Sequence, residues 1–227
     1  HPHLMPILET VDANGHCAIV MPLLTGGSLR DMLEAEGALK PWRAFSIMNG
    51  VLGALSVLHA EQIVHRDIKP ANILLDQRGA PVLCDMGVAS VQGGARMTRT
   101  AQTIGTAFYM SPEQHKGHRA SRASDVYACG LLFFELLTGR FAYRLADEAS
   151  SYQIAEAHIR AEPEVERLPG GLPAGVVVLL ERALSKQPED RFEDAGAFAE
   201  ALERALEEPM GPVDTVPVET SPSRSQS

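Results

Sequence analysis

The sequence predicts an α+β protein that is mainly helical, with a few short strands near its beginning. Two apolar runs, residues 4–11 and 17–21, flank the turn-forming pair Asn14-Gly15 and indicate a β-hairpin. Farther along, apolar residues recur at helical spacing in several segments. With 227 residues and 45% hydrophobic content, the chain can bury one substantial core.

The first two predicted helices are marked by their starting residues. Ser28 has the features of an N-cap, with Asp31 in the first turn, and this helix is expected to end near Gly37. Pro41 suits the first turn of the second helix, whose apolar residues recur at helical spacing over 45–58. Such a stripe is typical of core packing, and no cofactor role is expected for it.

Three more helices are predicted in the second half of the chain. Ser124 and Asp125 are expected to cap a helix over residues 126–137, which is apolar on nearly every side. A helix of that kind belongs in the middle of a domain. The other two helices are predicted over 176–184 and 195–206.

Bulk properties exclude several classes of protein. A net charge of −9 argues against nucleic acid as a main partner. The cysteines Cys17, Cys84 and Cys129 lie far apart, so they are expected to be small apolar residues in a reducing compartment. His115 and His118 are expected to lie in a polar turn and not to bind a metal. No apolar run reaches the ~18 residues that a transmembrane helix needs.

Residues 63–75 bring together side chains suited to phosphoryl transfer. The Asp67 carboxylate can orient and deprotonate a hydroxyl nucleophile, and the Lys69 ammonium can neutralise charge on a transferred phosphoryl group. Asn72 supplies a neutral oxygen suited to Mg²⁺. The apolar residues 63–64 and 73–75 are expected to form short strands that hold this loop at both ends. The alternative is an ordinary polar turn between two strands.

The order of these residues resembles the catalytic loop of the protein kinase family, H-R-D-x-x-x-x-N, from His65 to Asn72. The lysine two residues after the aspartate is the form found in the serine/threonine branch. Asp85 begins D-M-G where the family has D-F-G, and Met86 is interpreted as a packing change. Residues 111–113, S-P-E, stand where the family has A-P-E. Each motif alone is weak, but their order and spacing together indicate a bacterial-type serine/threonine protein kinase.

This resemblance implies a protein-kinase-like fold with a mainly helical large lobe. Residues 1–21 would be the last two strands of the small N-terminal lobe, and 22–27 would be the hinge. Residues 28–208 would form the large C-terminal lobe, and 209–227, rich in Pro, Ser and Thr, would be a disordered tail or linker. Two supporting contacts are also implied: Asp125 would bond the backbone of the His65-Arg66 turn, and Arg191 would pair with Glu113.

The resemblance also implies ATP and Mg²⁺ as cofactors. Asp67, Lys69 and Asn72 would be catalytic, and Asn72 and Asp85 would bind the metal. The implied cofactor-binding residues are Met21, Pro22, Leu24, Leu74, Lys69, Asn72 and Asp85. Met21 would line the back of the adenine pocket, the backbones of Pro22 and Leu24 would pair with the adenine edge, and Leu74 would pack beneath it. The alternative for these apolar residues is plain core packing.

Residues 85–113 match the family's activation segment. Residues 97–106 resemble the segment of bacterial serine/threonine kinases, which phosphorylate themselves on a T-x-T pair. The resemblance implies that Thr98 and Thr100 would be this pair and that Arg66 would bind such a phosphate and order the loop. Thr106 matches the threonine that bonds Asp67 and Lys69 in the family and favours serine or threonine substrates. The alternative is a solvated, threonine-rich loop.

Two functions are therefore carried forward. The first is a serine/threonine protein kinase that acts on protein hydroxyls, with self-association for autophosphorylation, no nucleic-acid partner and a cytoplasmic location. Membrane anchoring of a longer parent protein stays open. The second is a catalytically inactive kinase-like binding module or a truncated remnant. The sequence begins at His1 and has no G-x-G-x-x-G loop or V-A-I-K lysine before the hinge. An upstream segment is expected, and the 227-residue chain alone is expected to be nearly inactive.

Overall fold

The computed structural model describes residues 1–13, 16–85, 105–146 and 148–207, with the backbone alone at 13, 16 and 17. The strands are β1 Glu9–Ala13, β2 His16–Val20, β3 Ile73–Leu75 and β4 Pro81–Leu83. The helices are α1 Leu29–Glu36, α2 Pro41–Ala60, α3 Pro112–His115, α4 Arg122–Thr138, α5 Ser151–Arg160, α6 Ala174–Ala183 and α7 Ala195–Glu207. Helices with two short antiparallel hairpins confirm the predicted α+β class.

The first hairpin is shorter than the sequence predicted. Strands β1 and β2 pair antiparallel, but β1 begins at Glu9 and not at residue 4. The Met5 N–H donates to the Leu83 carbonyl at 2.9 Å, and the Leu83 N–H donates to the His3 carbonyl at 2.8 Å. Pro6 has no N–H with which to continue this pairing. The start of the chain is thereby bound to β4, and the pair Asn14-Gly15 lies outside the described residues.

Helix α4 lies at the centre of the core. Its apolar side chains from Val126 to Leu137 are buried on all sides, as predicted. The helix begins earlier than expected, because Ser121 is the N-cap and its N–H donates to the Ser124 hydroxyl at 2.9 Å. Ser124 therefore lies in the first turn. Gly139 ends the helix in the left-handed conformation, with φ 65°.

Capping alone does not explain which of the other helices the sequence revealed, because α2 and α6 were predicted without a side-chain cap and α3 and α5 have capping boxes. Ser28 and Asp31 form the predicted capping box at the start of α1, and Gly37 ends that helix. Helices α2, α6 and α7 are present within two residues of the predicted bounds. Helices α3 and α5 were not predicted. Helix α5 nevertheless has a readable signal, a capping box between Ser150 and Gln153.

The expected strand at residues 63–64 is absent, whereas the one at 73–75 is present as β3. The Ile63 N–H donates to the Leu58 carbonyl at 2.9 Å and closes the end of α2, with Gln62 at φ 60°. This segment is therefore used to terminate a helix and not to pair in a sheet.

The described residues also bear on the predictions about membrane-spanning helices and cysteines. None of the helices in the described ranges is long and apolar enough to cross a bilayer. Cys84 and Cys129 are buried free thiols, as expected, while the side chain of Cys17 is outside the described part. The expected tail, 209–227, also lies outside the described residues.

Candidate active site

A buried carboxylate holds the turn that precedes Asp67. One oxygen of Asp125 accepts the His65 N–H at 2.7 Å, and the other accepts the Arg66 N–H at 2.8 Å. Arg66 has φ 72°, a left-handed conformation that a non-glycine residue adopts at a cost. Asp125 is 2% exposed, so its two charge-assisted bonds are not weakened by water. The contact expected between Asp125 and this turn is present.

His59, which the sequence analysis did not single out, supports the same carboxylate. Its Nδ1 accepts the Ala195 N–H at 3.1 Å, so the ring proton is on Nε2, which donates to Asp125 at 3.0 Å. The imidazole is 1% exposed. It connects the end of α2 to α4 and to the first residue of α7. The residue is one histidine in an apolar helix, and only the fold reveals its partners.

His65 connects the candidate catalytic loop to the segment that carries Asp85. Its Nε2 donates to the Cys84 carbonyl at 3.0 Å, and its Nδ1 accepts the Asp67 N–H at 3.4 Å. Burial lowers the pKa of His65, which keeps the ring neutral and preserves this donor-and-acceptor pattern. The ring therefore fixes the spacing between the two chain segments that hold the candidate site.

Lys69 contacts both Asp67 and Thr106 directly. The Lys69 ammonium donates to both Asp67 carboxylate oxygens, at 3.0 and 2.7 Å, and to the Thr106 hydroxyl at 2.8 Å. The side chain of Asp67 is 29% exposed and that of Lys69 is 18% exposed, so both are partly open to solvent and to a substrate. The ion pair keeps a carboxylate and a cation together at a partly exposed position, which a hydroxyl and a phosphate can approach.

Asn72 completes this cluster and leaves one oxygen for a cation. Its Nδ2 donates to the Asp67 side chain and to the Asp67 carbonyl, both at 2.8 Å. The Cys84 N–H donates to the Asn72 carbonyl at 2.9 Å, which brings the neighbouring Asp85 close to Asn72. Asp85 is exposed and has φ 56°. An amide oxygen and a carboxylate suit Mg²⁺, which also takes phosphate oxygens and water.

The predicted adenine-binding residues divide into two groups. Leu24 and Leu74 pack against a small buried cluster formed by Met5, Val82 and Cys84. In contrast, Met21 is exposed and Pro22 is half-buried. The structure therefore brings Leu24 and Leu74 together on one apolar surface. Met21 is not buried by any of the described residues.

Gly26 fixes the position of the expected hinge against β3. Its N–H donates to the Leu75 carbonyl at 3.1 Å, and the Leu75 N–H donates to the Gly27 carbonyl at 2.9 Å. A Cβ on Gly26 would lie 2.5 Å from the Leu75 carbonyl oxygen, which is a severe clash with backbone. A glycine is therefore required at this close approach.

Tyr109 anchors the end of the segment that contains Thr106. Its hydroxyl donates to Glu135 on α4, and the Arg30 guanidinium donates to the Tyr109 hydroxyl at 2.7 Å. Arg30 also pairs with Glu135 at 3.1 Å. These contacts join α1, α4 and the segment before α3. The sequence analysis missed all three residues, because their spacing along the chain gives no sign of their contact.

The predicted regulatory residues are only partly visible. Arg66 is exposed, and its guanidinium forms no ion pair within the described ranges. Met86, Thr98 and Thr100 lie outside the described residues. Thr106 is described and contacts Lys69, as reported above.

The comparisons with known proteins agree with this geometry. The sequence profile of the family described as protein kinase domain matches residues 1–205. The chain belongs to the protein kinase family, whose members generally use ATP and Mg²⁺ and act on protein substrates.

Three of its relatives among curated proteins are bacterial serine/threonine-protein kinases by name. The chain is 41% identical over 196 residues to a protein of Corynebacterium efficiens named serine/threonine-protein kinases drp72, covering 86% of this chain and 37% of that protein. It is 37% identical over 196 residues to serine/threonine-protein kinase PrkC of Bacillus subtilis, covering 86% and 30%. With PkaA of Streptomyces coelicolor, also named a serine/threonine-protein kinase, it shares 36% identity over 209 residues, covering 91% and 36%. The chain therefore spans about a third of the length of these relatives.

Proposed function

We propose that this chain carries the phosphotransfer site of a serine/threonine protein kinase, which moves the γ-phosphoryl group of ATP to a serine or threonine hydroxyl of a protein. The observation that carries this proposal is the contact of Lys69 with both Asp67 and Thr106. In this contact a carboxylate, an ammonium and a threonine hydroxyl meet at one point, and they would serve as the base, the cation and a residue of the activation segment. The names of the bacterial relatives favour the same chemistry.

Each residue of the cluster has a role in this reaction. Asp67 orients the substrate hydroxyl and takes its proton as the oxygen forms a bond to the γ-phosphorus and the bond to the leaving oxygen of ADP breaks. Lys69 neutralises charge on the transferring group. Asn72 limits the rotation of the Asp67 carboxylate through one hydrogen bond and binds the Asp67 carbonyl through another, and its own oxygen, with Asp85, would hold Mg²⁺.

The nucleotide would approach from the hinge side. Leu24 and Leu74 present an apolar surface for the adenine ring, and the backbones of Pro22 and Leu24 would bond its edge. Met21 would line the pocket from behind. The domain boundaries given above, with the hinge at 22–27, belong to the same proposal. Because the reaction consumes ATP, we place it in the cytoplasm, with protein substrates and a second copy of the kinase as partners.

A kinase-like binding module without catalysis is the second candidate. The first hairpin favours it, because Val11, Ile19 and Val20 are exposed apolar residues on a sheet of two strands. Such a surface can bind another protein segment. The genomic sequence directly upstream separates the two candidates: a glycine-rich loop and a lysine strand favour the enzyme, and an unrelated sequence favours the module.

The direct test measures nucleotide binding and transfer together. The longest reading frame that contains this chain, and the 227-residue chain by itself, would be titrated with ATP and Mg²⁺ by calorimetry. Transfer of radiolabel to a generic basic protein would be measured in parallel. Magnesium-dependent binding with steady transfer by the longer protein supports the kinase. Binding without transfer by both proteins would contradict it.

A further inference from the structure

Four side chains form a buried chain of hydrogen bonds in the large helical part of the molecule. The Lys186 ammonium donates to the Tyr143 hydroxyl at 2.9 Å, and the hydroxyls of Tyr143 and Tyr127 lie 2.6 Å apart. The Tyr127 hydroxyl lies 2.9 Å from Nδ1 of His158. The last three side chains are at most 2% exposed. This hydrogen-bond chain joins the segment after α6 to α4 and α5.

Lys186 fixes the direction of the hydrogen-bond chain. Burial lowers the pKa of Lys186 to about 8, so at pH 7 the amine is mainly an ammonium, which can donate but not accept. Burial raises the pKa of Tyr143 and Tyr127, so both hydroxyls keep their hydrogens. Tyr143 therefore donates to Tyr127, and Tyr127 donates to His158. In the opposite direction, the buried Tyr143 hydroxyl would have no acceptor for its hydrogen among the described residues.

The same direction decides which nitrogen of His158 carries the proton. Burial holds the pKa of His158 well below its usual value, so the ring is neutral and has one N–H. Because Nδ1 accepts from Tyr127, the proton is on Nε2. The Phe108 carbonyl, which works against burial to raise the His158 pKa, is the backbone acceptor beside the ring. No acceptor in the described part of the chain reaches full hydrogen-bond geometry with Nε2, so this looser contact is the one that it has.

A second histidine holds the neighbouring carbonyl. His115 donates from Nε2 to the Ala107 carbonyl at 3.1 Å, and its ring centre lies 4.8 Å from that of His158. Two histidines, one from α3 and one from α5, thus face the carbonyls of Ala107 and Phe108. The backbone that follows Thr106 is therefore held from the side of the hydrogen-bond chain.

This backbone borders the candidate active site. Thr106 accepts from Lys69 at 2.8 Å, and Lys69 donates to Asp67. A substrate hydroxyl that reached Asp67 would bring the rest of its polypeptide past residues 106–108. A shift of these residues would change the fit of a protein substrate and leave the nucleotide side unaffected.

We infer that Tyr143, Tyr127 and His158 are positioning residues for the protein substrate, because their directed hydrogen-bond chain holds residues 106–108 beside the place where the substrate hydroxyl meets Asp67. The functional part of this inference rests on the proposed kinase activity, whereas the positioning can be measured without activity. The simplest alternative is that the hydrogen-bond chain only satisfies buried hydroxyl groups of the core. That role would affect the stability of the whole molecule and not the local order of residues 106–108.

Hydrogen exchange measures the positioning on the 227-residue chain itself. Two amides report on the segment: the Tyr109 N–H donates to the Thr106 carbonyl at 3.1 Å, and the Met110 N–H donates to the Ala107 carbonyl at 3.4 Å. Their exchange rates would be compared with those of α7, which report on the stability of the whole molecule.

Tyr143→Phe removes one link of the hydrogen-bond chain and keeps the ring. In this variant we expect the Tyr109 and Met110 amides to exchange about three- to tenfold faster, the factor to which one lost neutral hydrogen bond corresponds, and α7 to change much less. Lys186→Met removes only the first donor and should act in the same direction, so it decides the matter if Tyr143→Phe does not fold. Tyr152→Phe, at a position that is 73% exposed, is the matched control and should change neither rate.

Kinetics test the functional part. In the longest protein that contains the chain, Tyr143→Phe and Tyr127→Phe should raise KM for a generic basic protein about three- to tenfold, with KM for ATP nearly unchanged. An unchanged KM for the protein substrate would refute the role in substrate positioning. Equal acceleration of exchange throughout the molecule, or no acceleration at Tyr109 and Met110, would show that the inference is wrong. Absence of phosphotransfer by the original protein would contradict the proposed function instead, and hydrogen exchange would still decide the positioning.

Discussion

Arg191 and Glu113 form a buried, two-pronged ion pair: two guanidinium N–H groups donate to the two carboxylate oxygens, at 2.9 and 2.8 Å. The Arg191 side chain is 0% exposed and that of Glu113 is 10% exposed. Arg191 also donates to the carbonyl groups of Ser185 and Ala123, and Ser124 donates to Glu113 at 2.6 Å. The pair joins the segment before α7 to α3, directly after the Tyr109 anchor.

This pair predicts a specific loss of stability in acid. Burial works against the charged carboxylate, but the hydrogen bonds from Arg191 and Ser124 outweigh it and hold the pKa of Glu113 at about 2, below its usual 4.5. A carboxylate with a lowered pKa stabilises the fold above its unfolded pKa, and this contribution of about 3 kcal/mol is lost as the pH falls from 4.5 towards 2.

Glu113→Gln tests that contribution. The variant should lose about 3 kcal/mol of unfolding free energy at pH 7, because Arg191 is left buried without its partner charge. The difference from the original protein should narrow as the pH approaches 2 in urea titrations. Glu189→Gln, at an exposed position nearby, is the matched control and should change stability by less than about 0.5 kcal/mol. A difference that stays constant with pH would contradict the assigned pKa.

Asp67→Asn tests the proposed base. The amide keeps the shape of the carboxylate but cannot take a proton, so phosphotransfer by the longest protein that contains the chain should fall by ~10²–10⁴. Binding of ATP should change little. Asp85→Asn is the contrasting variant and should weaken magnesium-dependent nucleotide binding instead. Calorimetry and a radiolabel assay separate the two effects. Turnover by Asp67→Asn at the original rate would refute the assignment.

His59→Phe tests the support beneath the catalytic loop. Phenylalanine fills a similar volume, but the Ala195 N–H and one oxygen of Asp125 each lose a bond. We expect a loss of about 1–3 kcal/mol in unfolding free energy, since both groups stay buried. The kcat should also fall, with KM for ATP nearly unchanged, because the His65-Arg66 turn is held less firmly.

The exposed His118 provides the control for this variant. His118→Phe should leave both the stability and kcat nearly unchanged. If His59→Phe were as stable and as active as the original protein, the carboxylate would hold the turn without help from the imidazole.

Thr98 and Thr100 test the proposed regulation. If Arg66 receives a phosphate on this pair, the active protein should modify Thr98, Thr100 or both, and a Thr98→Ala/Thr100→Ala variant should be much less active. Phosphopeptide mapping identifies the sites. Arg66→Ala should give a similar loss while leaving the phosphate in place. A fully active double variant with no phosphate between Asp85 and Glu113 would show that the segment is ordered in another way.

Much of the architecture could be predicted from sequence because its signals are local. The Ser28-Asp31 capping box, the terminating Gly37 and the all-round apolar α4 each depend on residues a few positions apart. A prediction was wrong where hydrogen bonds to groups outside a segment outweighed the segment's local preference for a strand. Residues 63–64 have strand-like composition. However, the Ile63 N–H donates to the Leu58 carbonyl at the end of α2, and the His65 N–H that follows donates to Asp125.

The candidate site shows the same division. The order of Asp67, Lys69, Asn72 and Asp85 was recognisable because a catalytic loop requires fixed residue types at fixed spacing along the chain. The contacts of Lys69 with Thr106 and of Asn72 with Asp67 appear only in the fold. No spacing rule connects residues that are 37 positions apart in sequence, as Lys69 and Thr106 are.

The sequence by itself therefore determined the helix that begins with the Ser28-Asp31 capping box, the helices with clear apolar periodicity, the central apolar helix and the family to which the chemistry belongs. The tertiary structure decided which buried polar groups meet: His59 with Asp125, Tyr109 with Glu135, and Lys186 with Tyr143. The physical reason is that caps and apolar periodicity act within a few residues. The partner of a buried polar group, in contrast, is whichever side chain the packing of distant helices brings within about 3 Å.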